Sequence, residues 1–177
     1  GLTAPPKPPA VGGGCLLLAS PDLTLLPVVS KCFGVCELLI YEIPQINTAT
    51  IVIYNPPPPN FNFAQFRMLI QTTENYLDCN EGKGDRQLDT SIMGDLNFPP
   101  SIVTWECGDE GLFPVIVAGE STQKQACRIL VDLMNKFSMH QLVDKPTRSK
   151  NIIDLFISDN PYSYSNCSTQ SMQPVSD

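Results

Sequence analysis

Ser91-Ile92-Met93-Gly94-Asp95-Leu96-Asn97-Phe98-Pro99 is an apolar run that ends in a glycine, then a carboxylate and an amide two residues apart. Gly94 has no Cβ, so the backbone there can bend or admit a close neighbour. In an extended segment residues i and i+2 project to the same side, which predicts that Asp95 and Asn97 point together. Asp95 supplies a full negative charge for a divalent metal or for the proton of a water. Asn97 supplies a neutral donor and acceptor able to hold a phosphate oxygen or the same water. The plainer reading of these residues is a strand followed by an Asx-type turn before Pro99-Pro100.

Other residues carry similar chemistry. Tyr54 closes the run Thr50-Ile51-Val52-Ile53-Tyr54 ahead of Asn55-Pro56-Pro57, and its phenol can donate a hydrogen bond. Asp154 interrupts the apolar stretch around Ile153 and Leu155, where an unpaired charge is costly, so a metal, a histidine or a backbone donor is expected beside it. Lys145, Arg148 and Lys150 bracket Thr147 and could meet a backbone phosphate, with a solvated loop as the alternative. His140 stands between Met139 and Leu142, a setting that suits a structural or surface role better than catalysis.

Taken in chain order, Tyr54-Asn55-Pro56-Pro57, Gly94-Asp95-Leu96-Asn97, Pro146-Thr147-Arg148 with Ile153-Asp154-Leu155, and Ser176-Asp177 resemble the motifs of the endonuclease/exonuclease/phosphatase superfamily. They are most similar to the endonuclease domain of non-LTR (LINE-type) retrotransposons. The resemblance covers residues 12–177 and implies a four-layer α/β sandwich, two mixed sheets face to face with helices outside. It also implies hydrolysis of a DNA phosphodiester with Mg²⁺ or Mn²⁺. Asp95 would orient or deprotonate the attacking water and help hold the metal, and Asn97 would fix that water and a phosphate oxygen. Tyr54 would donate to the scissile phosphate, and Asp154 would support the acidic pocket. Thr147 and Arg148 would line the substrate groove. Asp177 takes the place of a metal-binding aspartate that in the family precedes the catalytic histidine.

The chain departs from that pattern in three places. It stops at Asp177, where the family continues into the histidine. The family's N-terminal Asn and metal-binding Glu, which precede a Gly-rich strand similar to Gly12-Gly13-Gly14-Cys15-Leu16, cannot be assigned. Thr104-Trp105 stands where the family often has Asp-Trp. The resemblance thus implies a domain truncated at both ends, with little nicking activity of its own and open sheet edges prone to aggregation. It further implies a reverse transcriptase domain in the parent polyprotein and an intracellular, nuclear location if the domain is functional. Two alternatives stay open: another phosphoesterase of the superfamily, and a non-catalytic remnant or interaction domain.

Composition sets bounds on these readings. The 177 residues suggest one domain, 42% hydrophobic content supports a sizeable core, and 16% charged residues leave a surface poor in ion pairs. A net charge of -7 has the wrong sign for holding DNA through its phosphates alone, although a bound cation reverses the local field. Seven cysteines without paired C-x-x-C spacing argue against zinc and against a disulfide framework, and fit an intracellular protein. Cys15 and Cys127 lie in apolar runs, as buried reduced thiols do. Asn166-Cys167-Ser168 matches a glycosylation sequon with nothing else pointing to secretion. No apolar run is long enough to span a membrane, and no small-molecule cofactor is expected. Gly82-Lys83-Gly84 is too short for a phosphate cradle.

The positioning elements follow from periodicity. Residues 1–11 read as a proline-rich, disordered head, and 12–177 as the partial domain. Residues 36–43 and 49–54 read as a hairpin of two strands, with Glu37 and Glu42 facing solvent or an edge and given no role. Phe63, Phe66, Leu69, Ile70, Thr73 and Leu77 recur at helical spacing after a start signal at 60–62, ending near Asp78. A second helix is expected over 121–137, capped by Ser121 or Thr122. Residues 88–95 and 151–158 read as buried strands, and 99–119 as a long surface loop. Alternating strands and helices favour an α/β layered domain.

Overall fold

The computed structural model describes residues 15, 17–81, 88–108, 112–147 and 151–164. The expected hairpin is present as strands β2 (Cys36–Ile43) and β3 (Thr48–Tyr54), antiparallel with Ile40 opposite Ile51. A single turn over Pro44–Ile46 joins them, and Asn47 closes it at φ +50 with its N–H on the Pro44 carbonyl. Asparagine tolerates that left-handed conformation better than most residues.

Helix α1 (Phe63–Glu81) starts where the Asn62 side chain accepts the Gln65 N–H at 3.1 Å. It buries Phe66, Leu69, Ile70, Thr73 and Leu77 of the expected stripe, leaves Phe63 half-buried against the core, and runs three residues beyond Asp78. Helix α2 (Thr122–Lys136) is capped by Ser121, whose hydroxyl accepts the Lys124 N–H at 3.2 Å. At its far end Ser138 sits at φ +51, while Met139 N–H reaches the Met134 carbonyl at 2.8 Å and Ser138 N–H the Asn135 carbonyl at 3.4 Å. This is a Schellman closure with serine where glycine is usual.

Strand β1 (Leu26–Phe33) pairs with β2, while β4 (Asp89–Asp95) runs parallel to β3 and antiparallel to β8 (Asp154–Ser158). Strand β7 (His140–Gln141) links β8 to β6 (Leu112–Ile116), which pairs with β5 (Val103–Cys107). The order β1-β2-β3-β4-β8-β7-β6-β5 makes one mixed eight-stranded sheet, with α1 and α2 side by side against it. Leu38, Ile40, Ile51, Ile53, Ile92, Leu155 and Ile157 meet Phe66, Leu69, Leu130 and Leu133 in a single core. Burying each such side chain contributes about 1.5–3 kcal/mol.

Three expectations need correction. Residues 103–107 and 112–116 form a hairpin rather than a surface loop. Its strands are short, and Pro114 masks the alternation; β6 meets β7 only at Leu112, so a residue without an N–H is tolerated farther along. Strand β1, exposed along most of its length, carries no apolar period and was not expected. Strand β8 begins at Asp154, with Asn151 contributing only an isolated bridge. No helix among the described residues is long and apolar enough to cross a membrane.

Candidate active site

The parallel pair β3–β4 sends both chains out at one end of the sheet, and the site forms there. Register sets Tyr54 beside Asp95, Asp95 opposite Asp154, and Glu37 opposite Tyr54. Laterally paired residues share a face, so Glu37, Tyr54, Asp95 and Asp154 form one row across four strands at about 5 Å per step. Glu37 is the member that sequence reasoning passed over. Its place follows from the β2–β3 register, which the alternation of β2 alone does not supply.

Gly94 allows β3 and β4 to approach. Its φ is +141, and a Cβ built there would lie 1.9 Å from the Ile53 carbonyl oxygen. Only a residue without a side chain fits. Beyond Asp95 the chain leaves the sheet: Asp95 accepts the Asn97 N–H on Oδ1 at 3.1 Å, and Asn97 takes φ +50. The Asx-type turn is therefore present.

Because the extended segment ends at Asp95, the premise that Asp95 and Asn97 project together does not hold. The buried Asn97 amide turns sideways and donates through Nδ2 to the Asn55 carbonyl at 2.9 Å. Asn55 in turn donates through Nδ2 to the Leu96 carbonyl at 2.9 Å, donates its N–H to the Asp95 carbonyl at 2.9 Å, and accepts the Cys36 thiol on Oδ1 at 3.6 Å. Sequence reasoning gave Asn55 no such role. It ties the two strand exits together and fixes the spacing between Tyr54 and Asp95.

Thr147 positions the fourth member of the row. Its hydroxyl oxygen accepts the N–H groups of Ile153 and Asp154, each at 3.1 Å, and its own N–H reaches the Asn151 carbonyl at 2.9 Å. The turn before β8 is thereby closed. Asp154 is exposed, so the argument that burial forces a partner on it fails: water solvates the charge where the outer face of β8 opens. His140 lies half-buried opposite Ser158, several residues along β8 from the row. Arg148, Lys150 and Asp177, together with Gly12 to Gly14, the 82–84 glycine loop and the sequon at 166–168, lie outside the described residues.

Burial first, then the carboxylates of Asp95 and Glu37, push the Tyr54 phenol above its ordinary pKa. It remains a protonated donor at neutral pH, flanked by two acids. Glu37 Oε2 accepts the Cys15 N–H at 2.8 Å. Burial pushes the Cys15 thiol up to about 12, with Glu37 adding to the shift, and burial raises Cys36 to about 11.

Among the described residues no group of three or more His, Cys, Asp or Glu side chains is arranged to hold a metal ion. The row does offer Asp95 and Asp154 as neighbouring carboxylates, and like charges in directly paired positions destabilise a sheet by about 0.2–1 kcal/mol. A hydrated Mg²⁺ or Mn²⁺ is commonly held by one or two carboxylates and several waters, so this donor set fits such an ion. An ion held there would supply charge neutralisation to a bound anion. No protein-family model matches the chain, and no curated protein is significantly similar to it.

Proposed function

We propose that this chain belongs to a metal-dependent phosphodiesterase of the endonuclease/exonuclease/phosphatase type, a DNA-nicking domain derived from a non-LTR retrotransposon. The observation that carries the reading is the row Tyr54, Asp95 and Asp154 at the exits of β3, β4 and β8, with Thr147 holding the turn before Asp154. Asp95 and Asp154 would hold Mg²⁺ or Mn²⁺. Asp95 accepts a proton from water, and Tyr54 donates to a phosphate oxygen. Burial, then Asp95 and Glu37, raise the Tyr54 pKa further above neutrality, so the phenol stays a donor. Arg148 would meet the DNA backbone, and Asp177 would add a metal ligand. Support for the finer, two-sheet form of the fold comes from the second face of the sheet, where Leu39, Val52, Met93 and Phe156 form an apolar row suited to a facing layer. A neighbouring reverse transcriptase and a nuclear location follow from the same reading.

Thermal unfolding across a Mn²⁺ titration tests it without requiring turnover. An ion that binds only the folded state stabilises it by about 2.7 kcal/mol at one hundred times Kd. The melting temperature should rise in the parent chain and stay flat in Asp95→Asn and Asp154→Asn. Plasmid nicking that requires Mn²⁺ and Asp95 would place DNA as substrate, whereas cleavage of small phosphoesters or of abasic DNA alone would favour another phosphoesterase. A flat Mn²⁺ response in the parent chain overturns the metal site. A non-catalytic interaction domain then becomes the better reading, one already favoured by the commitment of the Asn97 amide to Asn55 and by the net charge of -7.

A further inference from the structure

A second cleft opens at the other end of the sheet, six residues back along β4 and so about 20 Å from Asp95. Its volume is about 430 Å³, and it lies where α1 and α2 both end and where β4 begins. Small-molecule sites commonly measure about 300–1,000 Å³.

Three carboxylates, those of Glu81, Asp89 and Asp159, line this cleft against one cation, Lys136. Asp89 and Asp159 line the wall. Asp159 Oδ1 accepts the Thr90 N–H at 2.7 Å, and Asp89 Oδ2 accepts from Asn160 Nδ2 at 3.0 Å and from the Ser163 hydroxyl at 3.4 Å, which fixes both carboxylates. Burial, with the charge of Asp89 behind it, holds the Asp159 carboxyl above the usual range.

Asn80 adds a buried acceptor to this wall. It lines the cleft, the residue is 3% exposed, and its Oδ1 has no hydrogen-bond partner among the described residues. A buried acceptor left this way needs a donor. Lys136, on the rim, does not supply one. Its Nζ is engaged by Glu74 at 3.0 Å and Asp78 at 2.7 Å. Leu77, Leu88 and Phe137 provide apolar wall.

We propose that this cleft binds a small organic cation, an ammonium group on a compact apolar body. The ammonium lies between Asp89 and Asp159 and donates to Asn80 Oδ1, while the body rests on Leu77, Leu88 and Phe137.

Titration of the full chain with phenethylamine and with its neutral counterpart 2-phenylethanol, followed by calorimetry and by backbone amide shifts, tests the proposal. The amine should bind roughly tenfold more tightly than the alcohol, with shifts at residues 80, 89, 90 and 159. Asp159→Asn keeps an acceptor for the Thr90 N–H and removes the charge, so the fold should persist while amine affinity falls by roughly tenfold. Asn80→Leu should remove most of the remaining preference for the amine. Equal binding of both probes, absence of amine binding at millimolar concentration, or unchanged amine affinity in a folded Asp159→Asn each overturns it.

Discussion

Replacing Gly94 with alanine tests whether close approach of β3 and β4 builds the acidic row. The new Cβ would stand 1.9 Å from the Ile53 carbonyl oxygen, and real contacts of this kind do not fall below 3.0 Å, so the strands must part by about 1 Å. Parting them weakens the ladder around Gly94 and the bond from Asn55 N–H to the Asp95 carbonyl, now 2.9 Å. Two such bonds contribute about 1 kcal/mol each. Holding a residue with a side chain at φ +141 adds about 1–3 kcal/mol. The expected loss is therefore about 3–5 kcal/mol, a large part of the roughly 5–15 kcal/mol available to a domain. In urea, with a slope of about 2 kcal/mol/M, the midpoint measured by Trp105 fluorescence and far-UV circular dichroism should fall by roughly 2 M. Gly119→Ala is the control: φ there is +99, but the nearest atom to a new Cβ is the flexible Lys124 Nζ at 3.4 Å, so only the backbone cost of about 1–3 kcal/mol applies. A Gly94→Ala loss no larger than that of Gly119→Ala would refute the argument that the Ile53 carbonyl excludes a side chain.

Ser138→Gly relieves a left-handed residue at the end of α2 and should stabilise the protein by about 1 kcal/mol, seen as a higher urea midpoint; a lower midpoint contradicts the Schellman reading. Asn62→Ala and Ser121→Ala should each cost about 1 kcal/mol by losing the acceptor for Gln65 and Lys124 N–H, and a change near zero in either would mean the cap is idle. Burial raises the folded pKa of Asp159, so the folded state binds this proton more tightly than the unfolded state does. Its stabilisation is complete below the unfolded value near about 3.9 and is lost as pH rises through the raised folded value. Asp159→Asn should therefore gain relative to the parent as pH climbs from about 4, and a difference independent of pH in urea titrations would refute it. A disulfide reagent at pH 8, with sites read by mass spectrometry, should modify exposed Cys32, Cys79 and Cys107 quickly; Cys127, buried and pushed up to about 12, should react only on unfolding.

The helices were the most legible elements. Phe66, Leu69, Ile70, Thr73 and Leu77 recur at helical spacing, and Asn62 and Ser121 stand where local hydrogen bonding selects cap residues. The β2–β3 hairpin and β4 were readable for the same reason, since alternation and β-branched content act over neighbouring residues. The β5–β6 hairpin was not, because Pro114 and the short strands hide a pairing stabilised by a partner that the local pattern does not name. Within the candidate site, Tyr54 and Asp95 stood out from their places at strand ends. Glu37 and Asn55 were not, since each is defined by a residue far away in the chain. Asp154 was legible as a charge in an apolar run, but its exposure was not, because the run does not say which face water reaches.

By itself the sequence determined two amphipathic helices with their caps, a hairpin, and a glycine-carboxylate turn at the end of a strand, since these depend on side chains within a few residues of one another. Only the tertiary structure decided that β3 and β4 run parallel, that β8 places Asp154 opposite Asp95, and that Asn97 turns away to clamp Asn55. Strand pairing is a long-range choice, and a shift of one residue reverses which face every side chain occupies. The row of Glu37, Tyr54, Asp95 and Asp154 is therefore a property of register, which no single segment of this chain carries.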